Sequence, residues 1–212
     1  MTIKKFYSSS FAPNPLRINY MLKLKGIEID MIDIDIMKHE HLTDEFKAIN
    51  PDCTIPVMKL DDGTTLCDTI GILHFIEKSY PETPLMGDSI IEQAQVLSMM
   101  HRIYTQGSLS VAAVLRNGAV PGFENRALPG QIPIAQIPAL MERGTITLNG
   151  FYQSISQSLK GIDYLVANKL SQADIDLYIC CNFAGFIKQK FDADALPNLA
   201  SHYQRMHNAI NS

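Results

Sequence analysis

The chain has 212 residues, 46% hydrophobic and 19% charged, the balance of a soluble globular protein and far from that of a disordered one. A formal net charge of −4 and an isoelectric point near 5.8 give no general attraction for nucleic acid or an anionic membrane, so affinity for an anionic ligand must be local. Four cysteines, two of them adjacent (Cys180, Cys181), supply neither a disulfide framework nor a metal-ligand spacing, and a reducing, cytoplasmic compartment fits them.

The first residues, MTIKKFYSSSFAP, lack the apolar core of a signal peptide. Residues 3–7 read as a strand, followed by a Ser/Pro/Asn turn and a helix over 15–25 that Gly26 is placed to end. Residues 28–34 alternate polar and apolar, as a half-buried strand does. Residues 43–50 read as a short helix. Next comes Asn50-Pro51-Asp52-Cys53-Thr54-Ile55-Pro56-Val57-Met58, in which a proline directly precedes an apolar strand, 57–60. Proline lacks the donor that a central strand needs, so Pro56 belongs at the strand's first position or in a turn. An X-Pro bond there can be cis. A cis bond would turn the Ile55 N–H and C=O into a cleft, free to pair with an extended peptide. Asp61-Asp62-Gly63 signals a hairpin, and a short strand, 64–67, runs to Asp68-Thr69 at the start of an apolar-periodic helix, 70–79. Free N–H groups and partial positive charge make such a helix start a carboxylate site. Together these features suggest a small acidic peptide as ligand.

The β-α-β-α-β-β-α order is that of a thioredoxin-like fold, with a right-handed crossover in its βαβ portion. Pro81-Glu82-Thr83-Pro84 and Gly87-Asp88 then break the pattern as a linker, residues 81–88. Beyond it the reading is all-helical. Residues 90–115 form a helix interrupted at Gly107, and 118–138, rich in proline and glycine, form a long irregular connection or a pocket cover. Residues 138–168 read as one long helix weakened at Gly144, Gly150 and Gly161. Ser171-Gln172-Ala173-Asp174 is a capping box with Asp in place of Glu or Gln, opening a mostly apolar helix too short for the ~20 residues that span a bilayer. Residues 196–210 close the chain as a helix. The fold class is therefore α/β plus all-α, divided into 1–80, the linker 81–88 and 89–212.

The run NPDCTIPVMKLDDGTTLCDTIGILHFI resembles the glutathione-binding half of the soluble glutathione transferases, whose pattern is roughly Asn-Pro-x-Gly-x-Val-Pro-x-Leu, a hairpin, then Glu/Asp-Ser/Thr and a helix. APNPLRINYMLKLKGIEID is similar to the family's first helix and second strand, KHEHLTDEFKAINP to its second helix region, and YLVANKLSQADIDLYI to its late capping-box helix. Each motif is loose, but four in order and spacing make a strong signal.

The resemblance implies a homodimer, with residues 65–80 against the partner's first long helix. It implies glutathione as co-substrate, no metal or organic cofactor, and attack of the bound thiolate on a small apolar electrophile, in detoxification. It places the γ-glutamyl end at Asp68 and Thr69, the cysteinyl unit on the Ile55 backbone before Pro56, and the glycyl carboxylate near Lys38 and His41. Against these stand ordinary N-capping for Asp68 and Thr69, and a solvated charged loop for Lys38 and His41. The electrophile pocket would be lined from Phe11 and the helix around Tyr104 to Leu115.

A thiol near pKa 8.5 is scarcely ionised at neutral pH, and lowering it by two units requires about 2.7 kcal/mol. A helix dipole supplies about 0.3–1 kcal/mol, ~2 when partly buried, and a hydrogen bond to a charged acceptor about 1.5–3, so both are expected. The donor lies in residues 7–14: Asn14 ranks first and Ser10 second, against plain turn and capping chemistry for both. The relatives' Ser and His on the first long helix are missing from residues 111–116. A glutathione-binding regulatory protein with little turnover is therefore a rival reading, and a glutathione-dependent isomerase or dehalogenase is a third. The family's Gly is Cys53 here and its usual Glu is Asp68. Cys53 and Cys67 read as small buried hydrophobes, Tyr7 as core, Asp174 as structural, and His101, His202 and His207 as surface or satisfied core residues.

Overall fold

In the computed structural model, residues 2–119 and 122–212 are described; Val120 and Pro121, inside the stretch read as irregular, lie outside the described residues. The chain divides into two compact units, Met1–Thr83 with Leu128–Pro133, and Pro84–Ala127 with Ile134–Ser212. That the segment 128–133 belongs with the first unit could not be read from local pattern.

The first unit holds β1 (Ile3–Ser8), α1 (Pro13–Lys25), β2 (Met31–Asp33), α2 (Asp44–Lys47), β3 (Val57–Leu60), β4 (Thr65–Cys67) and α3 (Thr69–Ser79). The sheet order is β2-β1-β3-β4, with β1 parallel to β2 and the other pairs antiparallel. Period-two alternation sorts the strands' side chains onto two faces. Phe6 and Met58 are in register and fully buried. Tyr7, Ile32 and Val57, also in register, belong to the cluster with Ile34 and Phe46. Gly26 ends α1 with φ 66°, its N–H returning to the carbonyls of Leu22 and Lys23.

The strand read over 28–34 is shorter: only Met31–Asp33 pairs, with β1. Lys25 Nζ, buried with Glu77, reaches Glu77 Oε2 at 2.8 Å and the carbonyls of Tyr80 and Thr83 at 2.9 and 2.6 Å. All three ammonium hydrogens thus find acceptors, the condition under which a buried lysine is tolerated.

The second unit comprises α4 (Ile90–Arg102), a π-helical stretch (Ile103–Ser108), α5 (Leu109–Val114), a second π-helical stretch (Leu115–Ala119), α6 (Ala139–Ser158), α7 (Gln172–Phe186) and α8 (Pro197–Asn211). The interruption expected at Gly107 is a π-helical insertion rather than a stop. A Cβ on Gly107 would come within 2.7 Å of Phe151 and 2.8 Å of Cys180, so glycine is required by close approach. Gly144 likewise lets α6 approach the Ser110 carbonyl, 2.8 Å from where its Cβ would stand. The long helix read over 138–168 stops at Ser158; Gly161, with φ 77°, lies in a turn beyond it. Among the described residues no helix is long and apolar enough to cross a membrane.

α7 is buried on every side from Gln172 through Cys181, as expected of a helix apolar all round. Its cap is a network. Asp174, with no exposure, accepts from the N–H and hydroxyl of Ser171 and the N–H of Leu165, each at 2.9 Å. His202 of α8 donates Nε2–H to the same carboxylate at 2.9 Å. His202 is therefore a core residue whose partner lies 28 positions away in sequence. Replacing Asp174 with Ala strands these donors in the interior. We expect Asp174→Ala to lower stability by about 3–5 kcal/mol, since it leaves several buried donors unsatisfied at about 1–3 kcal/mol each, measured by urea unfolding with Asp174→Asn less severe.

Candidate functional site

One row of paired residues crosses the sheet: Ile32 opposite Tyr7, Tyr7 opposite Val57, Val57 opposite Cys67. Strand direction then places the C-terminal ends of β1, β2 and β4 and the N-terminal start of β3 at a single edge. Ser10 and Asn14 after β1, Ile55 and Pro56 before β3, and Asp68 and Thr69 after β4 all issue from it. Lys38 and His41 follow the end of β2. The Ile55–Pro56 bond is cis. Among the described residues the Ile55 main-chain groups take no hydrogen bond within the protein.

α3 opens without a side-chain cap. Asp68, at the N-cap position, makes no capping bond and adopts φ 65°, ψ 141°, outside the ordinary basins of an L-residue. Capping therefore does not account for Asp68. Ile72 bonds back to the Asp68 carbonyl, so the N–H groups of Thr69, Ile70 and Gly71 remain as the helix's unpaired donors among the described residues. Thr69 is buried beneath them while Asp68 is exposed. Three converging amides, a hydroxyl and a positive dipole end suit a carboxylate; the adjacent Asp68 carboxylate suits an ammonium.

α1 opens differently. Ala12 is its N-cap and has no side chain to offer, and prolines stand at positions 13 and 15. Leu16 bonds to the Ala12 carbonyl at 3.1 Å. The Asn14 N–H is then the sole unpaired donor in this first turn among the described residues. The Asn14 side chain turns Oδ1 toward Arg17 Nη1 at 3.5 Å, which leaves Nδ2 as a second donor. Ser10 is less well placed than the sequence suggested. Its N–H donates to Asp33 Oδ1 at 2.6 Å and its hydroxyl lies 3.5 Å from Oδ2, so an anion already stands beside it.

The residues that hold this turn were not singled out from the sequence. Asp33 is one. Asn19 accepts from Ser8 Oγ at 2.8 Å and donates to the Ser9 carbonyl at 3.4 Å, while Ser9 Oγ accepts from the N–H groups of Phe11 and Ala12. The signal for Asn19 was an amide in a helix interior, where asparagine is a poor helix former.

Lys38 is exposed and pairs with Asp35 at 3.1 Å, whose carboxylate raises the lysine's affinity for its proton. His41 differs from both earlier readings, ligand-facing cation and solvated loop residue, because it is buried in the turn Glu40–Leu42. Cys53 is 1% exposed, the small buried residue expected, at φ 55°, the left-handed conformation for which glycine is better suited. Cys67, read as buried, is exposed; partial burial of its thiol, then Asp68 and Asp52, push its pKa up. In the second unit a cavity of about 620 Å³ is lined by Thr105, Leu109, Arg143, Thr147 and Phe151 among others, more polar than the apolar pocket anticipated around Tyr104 to Leu115.

Two family models match: the glutathione S-transferase N-terminal domain over residues 11–79 and the C-terminal domain over residues 144–211. The chain belongs to the glutathione S-transferase family. It is 26% identical over 204 residues to glutathione S-transferase 2 of Saccharomyces cerevisiae, covering 94% of this chain and 84% of the relative. Its 32% identity to glutathione S-transferase 1 of Dianthus caryophyllus spans 90 residues, 42% of this chain and 40% of that relative. A glutathione S-transferase domain-containing protein of Marinobacter aquaeolei superposes with a TM-score of 0.86 at 27% identity, covering 97% of this chain and 99% of the other.

Two outcomes follow. Asp68→Gly relieves a backbone strain of the order of 1–3 kcal/mol, partly offset by glycine's chain entropy. It should therefore raise the urea midpoint of unfolding. Cys67, though exposed, should be alkylated by iodoacetamide at pH 8 more slowly than free cysteine, because a raised pKa leaves less thiolate; Asp68→Asn should speed it.

Proposed function

We propose that the protein is a cytoplasmic, homodimeric glutathione transferase that adds the thiolate of bound glutathione to a small apolar electrophile. The observation that carries this is the opening of α3, where a strained, non-capping Asp68 stands beside Thr69 and three amides unpaired among the described residues. That arrangement matches one end of the γ-glutamyl group, carboxylate on the amides and ammonium on Asp68. The tripeptide's cysteinyl unit pairs with the Ile55 main chain ahead of Pro56, and Lys38 attracts the glycyl carboxylate. His41, buried in the same loop, shapes it rather than touching the ligand. Family membership supports the reading; glutathione itself is a co-substrate.

The sulfur is then carried toward α1. The Asn14 amide and main-chain N–H, added to the dipole of a 13-residue helix, supply the stabilisation the thiolate requires: about 1.5–3 kcal/mol from a hydrogen bond and up to ~2 from the dipole. Both act on the anion and not on the thiol, so they lower the pKa and raise the concentration of nucleophile. Ser10 ranks below Asn14 as a donor, since the Asp33 carboxylate at its side would repel a thiolate.

The absorbance of bound glutathione thiolate against pH tests this directly. The pKa should fall below the solution value by about two units, enough to supply a nucleophile near neutral pH, with conjugation of an aryl halide following the same titration. Asn14→Ala should raise that pKa by about one unit and slow conjugation at neutral pH about tenfold; Ser10→Ala should do neither. A thiol that titrates at its solution value while bound would support instead the binding-protein reading.

A further inference from the structure

Residues 128–133, Leu-Pro-Gly-Gln-Ile-Pro, belong to the first unit although they lie far along the chain from the rest of it. They rest on the turn that precedes β3. The Gln131 side chain donates Nε2–H to the Pro51 carbonyl, across 80 positions of sequence. Gly130 runs so near the same turn that a Cβ on it would stand 4.0 Å from the Asp52 carbonyl oxygen. Its φ of 108° is one that residues with a side chain rarely adopt, so glycine lets the main chain lie along the turn. Pro129 and Pro133 fix φ on either side of the contact and limit the freedom the segment gives up in making it.

The turn itself is strained. Cys53 holds φ 55°, a left-handed conformation that a residue with a side chain keeps only where its surroundings over-determine it. Asn50 supplies part of that hold. Its Nδ2 donates to Thr54 O at 2.8 Å and to Thr54 Oγ1 at 3.0 Å, and its Oδ1 accepts from Asp52 N–H at 3.1 Å. The Asn50 carbonyl accepts from Cys53 N–H at 3.0 Å. Among the described residues, the Pro51 carbonyl is left to Gln131 and to a weak contact from the Cys53 thiol at 3.7 Å. Ile55, whose main-chain groups are open to an extended peptide, comes two residues after Cys53, so any error in the turn passes directly to it.

We propose that Gln131 is a positioning residue for glutathione: by holding the Pro51 carbonyl it fixes the turn 50–54 and so aims the Ile55 main chain at the cysteinyl unit. This rests on the glutathione site proposed above, and Gln131 acts without touching the ligand. A turn already in shape spares the tripeptide the cost of ordering it. The contribution therefore falls on affinity and not on the ionisation of the thiol, which is governed at the opening of α1.

Amide hydrogen exchange and calorimetry on the full chain, with reduced glutathione as ligand, test this. Gln131→Met keeps the length of the side chain and removes the donor. Without glutathione it should speed exchange of the Asp52 and Cys53 N–H groups, both bonded inside the turn, and leave the amides of α7 unchanged. It should also weaken glutathione binding about fivefold, within the span of one lost hydrogen bond, while the pKa of the bound thiol keeps its wild-type value. Gly130→Ala, strained at its φ, should act in the same direction, and Gln153→Met, exposed on α6, should change neither quantity. Unaltered exchange in Gln131→Met, or faster exchange with unaltered glutathione affinity, overturns the proposal. A wild type that binds no glutathione overturns it together with the site on which it rests, a failure told apart by the missing binding.

Discussion

The register of four short strands is the constraint on which the rest depends. Because Ile32, Tyr7, Val57 and Cys67 form one continuous row, two helices begin at the same edge of the sheet, and the Ile55 main chain lies between them. A one-residue slip of β3 would turn Val57 out of its cluster and reverse the facing of every side chain along the strand. It would also carry Ile55 out of step with Asp68. Core packing and site geometry are thus set by a single choice of register, held by the buried Phe6–Met58 pair on one face and Tyr7–Val57 on the other.

The two helix openings at that edge differ in the donors they offer. α3 is donor-rich, with three amides unpaired among the described residues and no side-chain cap. α1 is donor-poor, because Pro13 and Pro15 remove two of its amides and Ala12 supplies nothing. A carboxylate has several lone-pair sites to satisfy and suits the first. A sulfur anion is larger, more weakly hydrogen-bonding, and suits a dipole with one or two donors. The prolines that strip α1 of donors also fix the first turn in helical geometry, so Asn14 is held in place by its neighbours and by Arg17.

The second unit shows the same economy of conformation at closer quarters. Glycines at 107 and 144 allow helices to meet at distances that no side chain would permit. The buried Asp174 joins the α7 cap, the turn at Leu165 and His202 of α8 through one carboxylate. Asp174 itself follows from a local motif, Ser171 to Asp174, whereas its bond to His202 depends on how α7 and α8 pack.

Local sequence determined most of the elements. Periodicity marked the helices, Gly26 ended α1, Asp61-Asp62-Gly63 turned the hairpin, and Ser171 with Asp174 capped α7, because each acts within a few residues of itself. It also marked Pro56, Asp68 and Thr69, whose positions follow from strand and helix boundaries. Only the tertiary structure decided that β2 shrinks to three paired residues, that α6 stops at Ser158, that His41 is buried and Cys67 exposed, and that Asp33 and Asn19 brace the turn before α1. Those outcomes depend on partners distant in the chain. Burial and hydrogen bonding between remote residues leave no periodic trace in the sequence, and the packing that creates them is what converts separate motifs into one site.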